Sequence, residues 1–258
     1  MAEENLDSVR IIGGKEAQPN QFPYQVAMSI LMNNKNIQVC GGVLISNSWV
    51  LTAAHCLYKA TAAEVVLGAH DVTNLYEITQ KRITVKNNSF IIHSAYPKQW
   101  IDIALIRLPT SIPYNRVIKS IQLPCNRDSQ RNFVGKNVLV SGWGMISDKP
   151  GSLSKTLKYT NIQVISSETC KKYFGSALAV DPTYIYCANG IKGTSTCSGD
   201  SGGPLVSLTS DGKVDKLIGI VSFGMVGGCT KGYPQGFVKI TSYLKWINEK
   251  TGGDVKIC

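Results

Sequence analysis

The 258-residue chain has no apolar run near the about 20 residues that a membrane-spanning helix needs. Its longest apolar stretches, such as 138–140 and 217–221, have the length of buried strands. No two cysteines stand in the Cys-x-x-Cys spacing of many zinc sites. Residues 1–10 are acidic and polar and lack the apolar core of a signal peptide. Charge is sparse, 17% against 43% hydrophobic residues, a balance that fits a packed globule and excludes a disordered chain. Acidic residues are few: 17 against 27 Lys and Arg, a net charge of +10. The basic residues are scattered, densest at Lys81-Arg82 with Lys86 and at Lys171-Lys172. No helix carries a basic stripe, which argues against nucleic acid as a partner. The excess reads as a solvated face, with attraction to acidic polysaccharide or an anionic surface as the sharper alternative.

Against these absences stand eight cysteines and 24 glycines. An even number of cysteines at loop-closing spacings points to disulfides and an oxidising, extracellular compartment. Spacing alone does not assign the pairs. Either a leader has been removed or the protein is not secreted, and the cysteines favour secretion. One Asn-x-Ser sequon, Asn87-Asn88-Ser89, is open to glycosylation in a secretory host.

Short β-branched or alternating runs at 23–32, 42–45, 65–67, 80–85, 103–108, 136–141, 161–165, 204–208, 217–222 and 237–240 predict antiparallel strands. Many such strands with Gly-rich turns predict an all-β barrel or sandwich. A segment with three prolines, 108–126, separates two halves, and 147–155 reads as an exposed loop. One helix is predicted over 242–250, where Tyr243, Trp246 and Ile247 share a face; Thr241 or Ser242 is the expected cap and Gly252-Gly253 the stop.

Three segments carry chemistry: Ala53-Ala54-His55-Cys56, Asp102-Ile103-Ala104-Leu105 and Gly199-Asp200-Ser201-Gly202-Gly203-Pro204. Each alone reads as an ordinary turn or cap. Together they supply what acyl transfer to serine needs: a hydroxyl, a base to take its proton, and a carboxylate to fix the base's tautomer. A tight glycine turn adds the backbone N–H donors. Their order, His, Asp, Ser, differs from that of the α/β-hydrolases.

These segments resemble the three signatures of the chymotrypsin-type (trypsin-like) serine proteases. Gly142-Trp143-Gly144 and Ser222-Phe223-Gly224 fall at the family's expected places, and the likeness runs from Ile11 to about Asn248. The resemblance implies two packed antiparallel six-stranded β-barrels, over about 23–112 and 125–240, followed by the helix. Ser201 is then the nucleophile, His55 the base and later acid, Asp102 its orienting carboxylate, and the N–H groups of Gly199 and Ser201 the oxyanion hole. Backbone groups of Ser222, Phe223 and Gly224 pair with the substrate. His70 and His93 have no such context and read as surface loop residues.

Arg10-Ile11-Ile12-Gly13-Gly14 is similar to the family's activation site. Residues 1–10 are then a propeptide and 11–258 the peptidase. Cleavage after Arg10 frees the Ile11 ammonium to pair with Asp200, and this ordering of the turn makes the intact chain a weakly active zymogen. The residue six before the nucleophile, Ser195, lies at the base of the primary pocket in this family. With a neutral Ser195 and an open Gly224, the resemblance implies large apolar P1 side chains. The segment Cys229–Phe237 is similar to that of the collagenolytic brachyurins. There Gln235 departs from the glycine of chymotrypsins and leaves a broader or elastase-like specificity open.

The family's bridges imply Cys40–Cys56, Cys170–Cys187 and Cys197–Cys229, with Cys125 and Cys258 left to each other. In the loop where some relatives bind calcium, Ala69 stands where a carboxylate is expected. Asp71 and Glu77 are weak evidence for a site, so no metal is expected. No cofactor is called for. Expected partners are polypeptide substrates, an Arg-specific activating protease and protein protease inhibitors, with the protein itself a monomer away from any membrane. The rival reading is a non-catalytic binding homologue, against which the intact His55, Asp102 and Ser201 count.

Overall fold

The computed structural model describes residues 12–99, 101–174, 181–190, 194–225 and 229–257. A two-residue strand, β1 (Lys15–Glu16), leads into the first half of the fold. There β2 (Gln25–Met32), β3 (Ile37–Leu44), β4 (Trp49–Thr52), β5 (Ala60–Leu67), β6 (Lys81–Lys86), β7 (Phe90–Ile92) and β8 (Ala104–Arg107) form one sheet, with the helical turn α1 (Ala54–Leu57) after β4. The second half holds β9 (Asn137–Gly142), β10 (Lys158–Ile165), α2 (Ser167–Phe174), β11 (Ile185–Gly190), β12 (Pro204–Leu208), β13 (Val214–Gly224) and β14 (Gln235–Lys239). It ends in α3 (Leu244–Thr251).

The two halves close differently. In the second, the order β10-β11-β14-β13-β12-β9 returns on itself through β9–β10 pairing, giving a closed six-stranded barrel with β1 laid alongside β10. In the first, β6-β5-β2-β3-β4-β8-β7 is a curled seven-stranded sheet. Its end strands β6 and β7 are joined by a 3-10 turn at Asn87–Ser89 rather than by a ladder among the described residues. Strand β10 alternates as an antiparallel strand with one buried face should.

Three of the apolar clusters frame the site. Val26, Met28, Ile30 and Leu44 lie inside the first half, and Val138, Val140, Leu205 and Phe237 inside the barrel. Between them, Leu51 and Leu105 meet Leu139, Val206, Ile220 and the α3 residue Ile247. This seam is where the site lies.

Several elements differ from expectation. The strands β1, β4, β7 and β11 lie beyond the ten predicted, and β5 and β10 begin earlier, at Ala60 and Lys158, because their first residues are mostly small or polar and give no apolar pattern in the sequence. Helix α3 starts at Leu244 after a 3-10 turn, without a side-chain cap. Ser242 instead donates to the Thr183 carbonyl, and Thr241 Oγ1 is buried without a partner. Gly252, at φ 63°, and Gly253, at φ 84°, end the helix as predicted. The 147–155 loop is tied down: Asp148 accepts from the N–H groups of Cys229 (3.0 Å) and Thr230 (3.3 Å) and from the Thr230 hydroxyl.

A buried lysine anchors β1. Lys158 on β10 has a side chain only 1% exposed, and its ammonium donates to Glu16. Glu16 also accepts from Thr156 Oγ1 (2.9 Å) and meets His70 Nε2 at 3.1 Å. The Lys158 hydrogen bond leads the causes that hold the Glu16 carboxyl at about 2, below its ordinary 4.5. Its contribution is therefore present above the ordinary value and is lost as pH falls from 4.5 towards 2. Glu16→Gln should cost about 2 kcal/mol in urea unfolding, less than the roughly 3–5 of a fully enclosed pair, since water reaches Glu16. The double variant E16Q/K158M should regain most of that loss; a double as unstable as the single would refute the assignment.

Candidate active site

His55 sits on α1, directly after strand β4, and Asp102 just before β8, which pairs with β4. The ladder thus brings side chains 47 positions apart to one edge. Asp102 is buried. Its Oδ1 accepts from the His55 backbone N–H (2.8 Å), and its Oδ2 meets His55 Nδ1 at 2.8 Å. A third contact comes from the other half: Ser222 Oγ donates to Asp102 Oδ2 at 2.6 Å. The β13–β14 register shifts between Val221 and Phe223, so Ser222 drops out of the ladder, and its side chain reaches across the seam.

Ser201 lies in the turn between Cys197 and β12. Its carbonyl accepts from Gly41 N–H on β3 at 2.7 Å and lies 3.7 Å from Cys56 Sγ, beside His55. No hydrogen bond joins Ser201 Oγ to His55 Nε2 here; such contacts often tighten only with substrate. Within the turn, the N–H groups of Asp200, Gly202 and Gly203 donate to Cys197, Val221 and Asp200 carbonyls. Those of Gly199 and Ser201 donate to no acceptor among the described residues. Gly199, at φ 99°, holds a conformation that favours glycine, and a Cβ there would lie 2.8 Å from Leu153.

Behind the turn, Asp200 is wholly buried. Its Oδ1 accepts from Gly144 N–H (2.8 Å) and its Oδ2 from Cys197 N–H (2.9 Å). Burial pushes its carboxyl up to about 6, against the opposing effect of those two N–H groups. A Cβ on Gly142 would fall 2.2 Å from its Oδ1, and one on Gly144 2.4 Å from its Cγ. The Gly142-Trp143-Gly144 motif is thus a cradle for this carboxylate. Arg10 and Ile11 lie outside the described residues. The adjacent Ile12 is docked, its carbonyl accepting from Ser195 N–H at 3.0 Å.

A cavity of about 170 Å³ opens beside Ser201. It is lined by Thr196–Ser198, Val221–Met225, Cys229 and Gln235, with no charged residue among them. Gln235, not Ser195, forms the described floor. Gln235 Oε1 accepts from Thr196 N–H (3.0 Å) and Thr196 Oγ1 (2.5 Å). Its Nε2 donates to Ser195 Oγ (2.6 Å) and to the Thr196 carbonyl. Both lone pairs and both protons of the amide are spent. Ser195 lies behind it, 2% exposed, donating to the Thr196 carbonyl at 2.9 Å. Phe223 packs edge-on against Phe174 of α2, and Gly224 lies in ordinary contact with Gln235.

The disulfides Cys40–Cys56, Cys170–Cys187 and Cys197–Cys229 are present. Cys125 is also disulfide-bonded, and Cys258, its expected partner, lies outside the described residues. Glu77 accepts from the N–H groups of His70 (2.8 Å) and Asp71 (2.9 Å), from Thr79 Oγ1 and from Gln80 Nε2, while Asp71 accepts from Thr73. Their carboxylates thus brace the loop. The other histidines are not plain surface residues. His70 joins Glu16, and its carbonyl accepts from Trp143 Nε1 at 3.0 Å. His93 packs on Trp246 and Tyr243, where burial lowers its pKa. Sequence reasoning missed Gly41, Thr196 and Asp148. None stands in a motif; their roles come from partners 39 to 160 positions away, and only pairing across the seam or pocket exposes them.

The family model described as Trypsin matches residues 11–247. The chain belongs to the trypsin family. It is 38% identical over 94% of its length to a brachyurin of Leptuca pugilator, covering 99% of that protein. It is 37% identical over 94% to a collagenase of Hypoderma lineatum, covering 88% of it. A solved structure described as HL collagenase superposes with a TM-score of 0.80 at 34% identity, covering 93% of this chain and 97% of that one. The fold is that of chymotrypsin, and the chain is a serine endopeptidase.

The Asp200 cradle makes a direct test. Gly144→Ala forces a methyl into the carboxylate and should cost about 3 kcal/mol in denaturant unfolding, at the upper end of ordinary overpacking. Gly224→Ala is the control: like Gly144 it does not lie in the left-handed region, and its Cβ would meet only ordinary contacts with Gln235 at 3.6 and 3.7 Å. Equal losses in the two variants would remove the cradle's role.

Proposed function

We propose that the chain is a secreted zymogen that, once cleaved after Arg10, hydrolyses peptide bonds with Ser201 as nucleophile. The carrying observation is the pair of unspent N–H groups, Gly199 and Ser201, in a turn whose neighbouring donors are engaged. Beside it stands a histidine held by a buried carboxylate. Ser201 Oγ attacks the scissile carbonyl as its proton passes to His55 Nε2. Asp102 keeps the other proton on Nδ1 and offsets the imidazolium charge, and the two N–H groups receive the oxyanion. His55 then protonates the leaving amine, and water repeats the sequence on the acyl-enzyme. The backbone of Ser222–Gly224 pairs with the substrate strand. A fluorophosphonate should label the cleaved protein. Ser201→Ala should lose the label and about 10⁶ in kcat; retained hydrolysis or labelling would leave a different nucleophile or a non-catalytic homologue.

Activation is supported by two features. Asp200 is a buried carboxylate without a cation among the described residues, and Ile12 is docked next to the residue whose ammonium cleavage would free. Residues 1–10 are then the propeptide and 11–258 the peptidase, cut by an Arg-specific protease. Mass spectrometry of the fully active form should find Ile11 at its N-terminus; full activity with residues 1–10 attached would overturn this. Secretion is supported by the disulfides. The protease acts as a monomer on polypeptides and is open to protein inhibitors.

The P1 preference is for large apolar side chains. No charged residue lines the described pocket, and Gln235 has no donor or acceptor left for a polar P1 group. Gln235 also shortens the cavity, which favours the second reading, a broad collagenolytic or elastase-like specificity, as do relatives named brachyurin and collagenase. Among P1 Phe, Leu, Ala, Gln and Arg substrates, Leu and Phe should turn over fastest. Gln235→Gly should raise kcat/KM for Tyr over Leu by about tenfold; fastest turnover of Arg would refute the pocket reading.

A further inference from the structure

The sequon at 87–89 stands apart from the peptidase site. Asn87-Asn88-Ser89 is the only Asn-x-Ser/Thr in the chain, and its middle residue is not proline. In the fold it forms the 3-10 turn between β6 and β7, with Asn87 and Asn88 exposed. Four loop asparagines elsewhere spend their side chains locally: Asn34, Asn74, Asn115 and Asn132 each accept from a backbone N–H two residues on. The Asn87 amide has no hydrogen bond among the described residues, and its backbone carbonyl alone closes the turn by accepting from Phe90 N–H. Its amide nitrogen therefore faces solvent, engaged in nothing that a substituent would break.

The position has a physical use. Strands β6 and β7 are the two ends of the open sheet, and each presents a row of backbone groups without a second neighbouring strand among the described residues. Such edges invite pairing with another chain, and folds cover or charge them. The turn at 87–89 is where the two edges meet in the chain. Among the described residues, the closed barrel of the other half has no comparable pair of ends.

We propose that Asn87 carries an N-linked glycan that covers the junction of the two open edges. This rests on the reading that the chain enters the secretory pathway. The glycan comes from a lipid pyrophosphate-linked oligosaccharide of the host. Asn87 Nδ2 bonds to the anomeric carbon of the terminal N-acetylglucosamine, and the anomeric C–O bond to pyrophosphate breaks. The lipid pyrophosphate leaves, the amide proton passes to a base of the transferase, and nothing is oxidised or reduced.

The test is expression of the full chain behind a secretory signal sequence in insect cells. Peptide mapping is done on the protein from both the medium and the cell membranes, before and after an N-glycan amidase. Wild type and Asn88→Gln, which keeps the sequon, should show one discrete mass increase on the 87–89 peptide, removed by the amidase. Asn87→Gln and Ser89→Ala should lack it while their peptidase activity on a small substrate is unchanged. Secreted, active wild-type protein with a bare Asn87 overturns the proposal, as does a mass increase that persists in Asn87→Gln. A glycosylated wild type held inside the cell supports the glycan and counts instead against the secretion reading.

Discussion

Two backbones meet at the seam with no room for a side chain between them, and the site depends on that contact. A Cβ on Gly41 would lie 2.9 Å from Gly203 Cα, and one on Gly202 would lie 2.1 Å from Thr52 Oγ1. At this distance Gly41 N–H reaches the Ser201 carbonyl, and Thr52 Oγ1 donates to the Gly41 carbonyl. The first half supplies His55 and Asp102; the second supplies Ser201 and Ser222. Nucleophilic catalysis tolerates errors of only a few tenths of an ångström between such groups. Hydrogen bonds running straight across the seam fix the halves at that precision, and the apolar layer from Leu51 to Ile247 keeps water from loosening them.

Three buried polar groups beside the seam follow one rule, and a fourth does not. Asp102 has three donors, Gln235 has all four of its hydrogen bonds, and Lys158 has Glu16. Each is satisfied, as burial requires. Asp200 has two N–H partners and no cation among the described residues, so its charge is the one left uncompensated. A carboxylate in that position is unfavourable until a positive group arrives. An unsatisfied charge beside a nucleophile is a poor way to build a stable core. It is a good way to make one turn respond to a new N-terminus.

The motifs that meet at the site were legible in the sequence, and much of their wiring was not. His55, Asp102 and Ser201 stand in short motifs whose residue types are fixed by local needs: a small-residue turn, a buried strand start, a glycine turn. Strand positions were readable where side chains alternate, as along β10, and were missed at β4 and β11, where both faces are buried or the residues are mixed. The open first sheet and the role of Ser222 as a third donor to Asp102 depend on pairing and on a register shift, which no local pattern encodes. Gln235 was visible as a departure from the chymotrypsin pattern. That its amide turns down to Thr196 and Ser195 is decided by groups 39 and 40 positions away.

That downward turn also links specificity to activation. Ile12 bonds through its carbonyl to Ser195 N–H, and Ser195 Oγ receives Gln235 Nε2, so the docked segment reaches the pocket floor through a single residue. Ile12 is also one peptide from the ammonium proposed for Asp200, whose backbone lies between the two unspent N–H donors. Docking of one short strand therefore bears on the floor that receives P1 and on the turn that receives the oxyanion. If the segment were undocked, Ser195 N–H would lose its acceptor and Gln235 would lose a fixed neighbour at the same moment that Asp200 lost its cation. Binding and catalysis would then fail together, so a precursor built this way needs no separate inhibitor segment over its pocket. On the proposed activation, the short acidic stretch 1–10 has only to withhold one amino group.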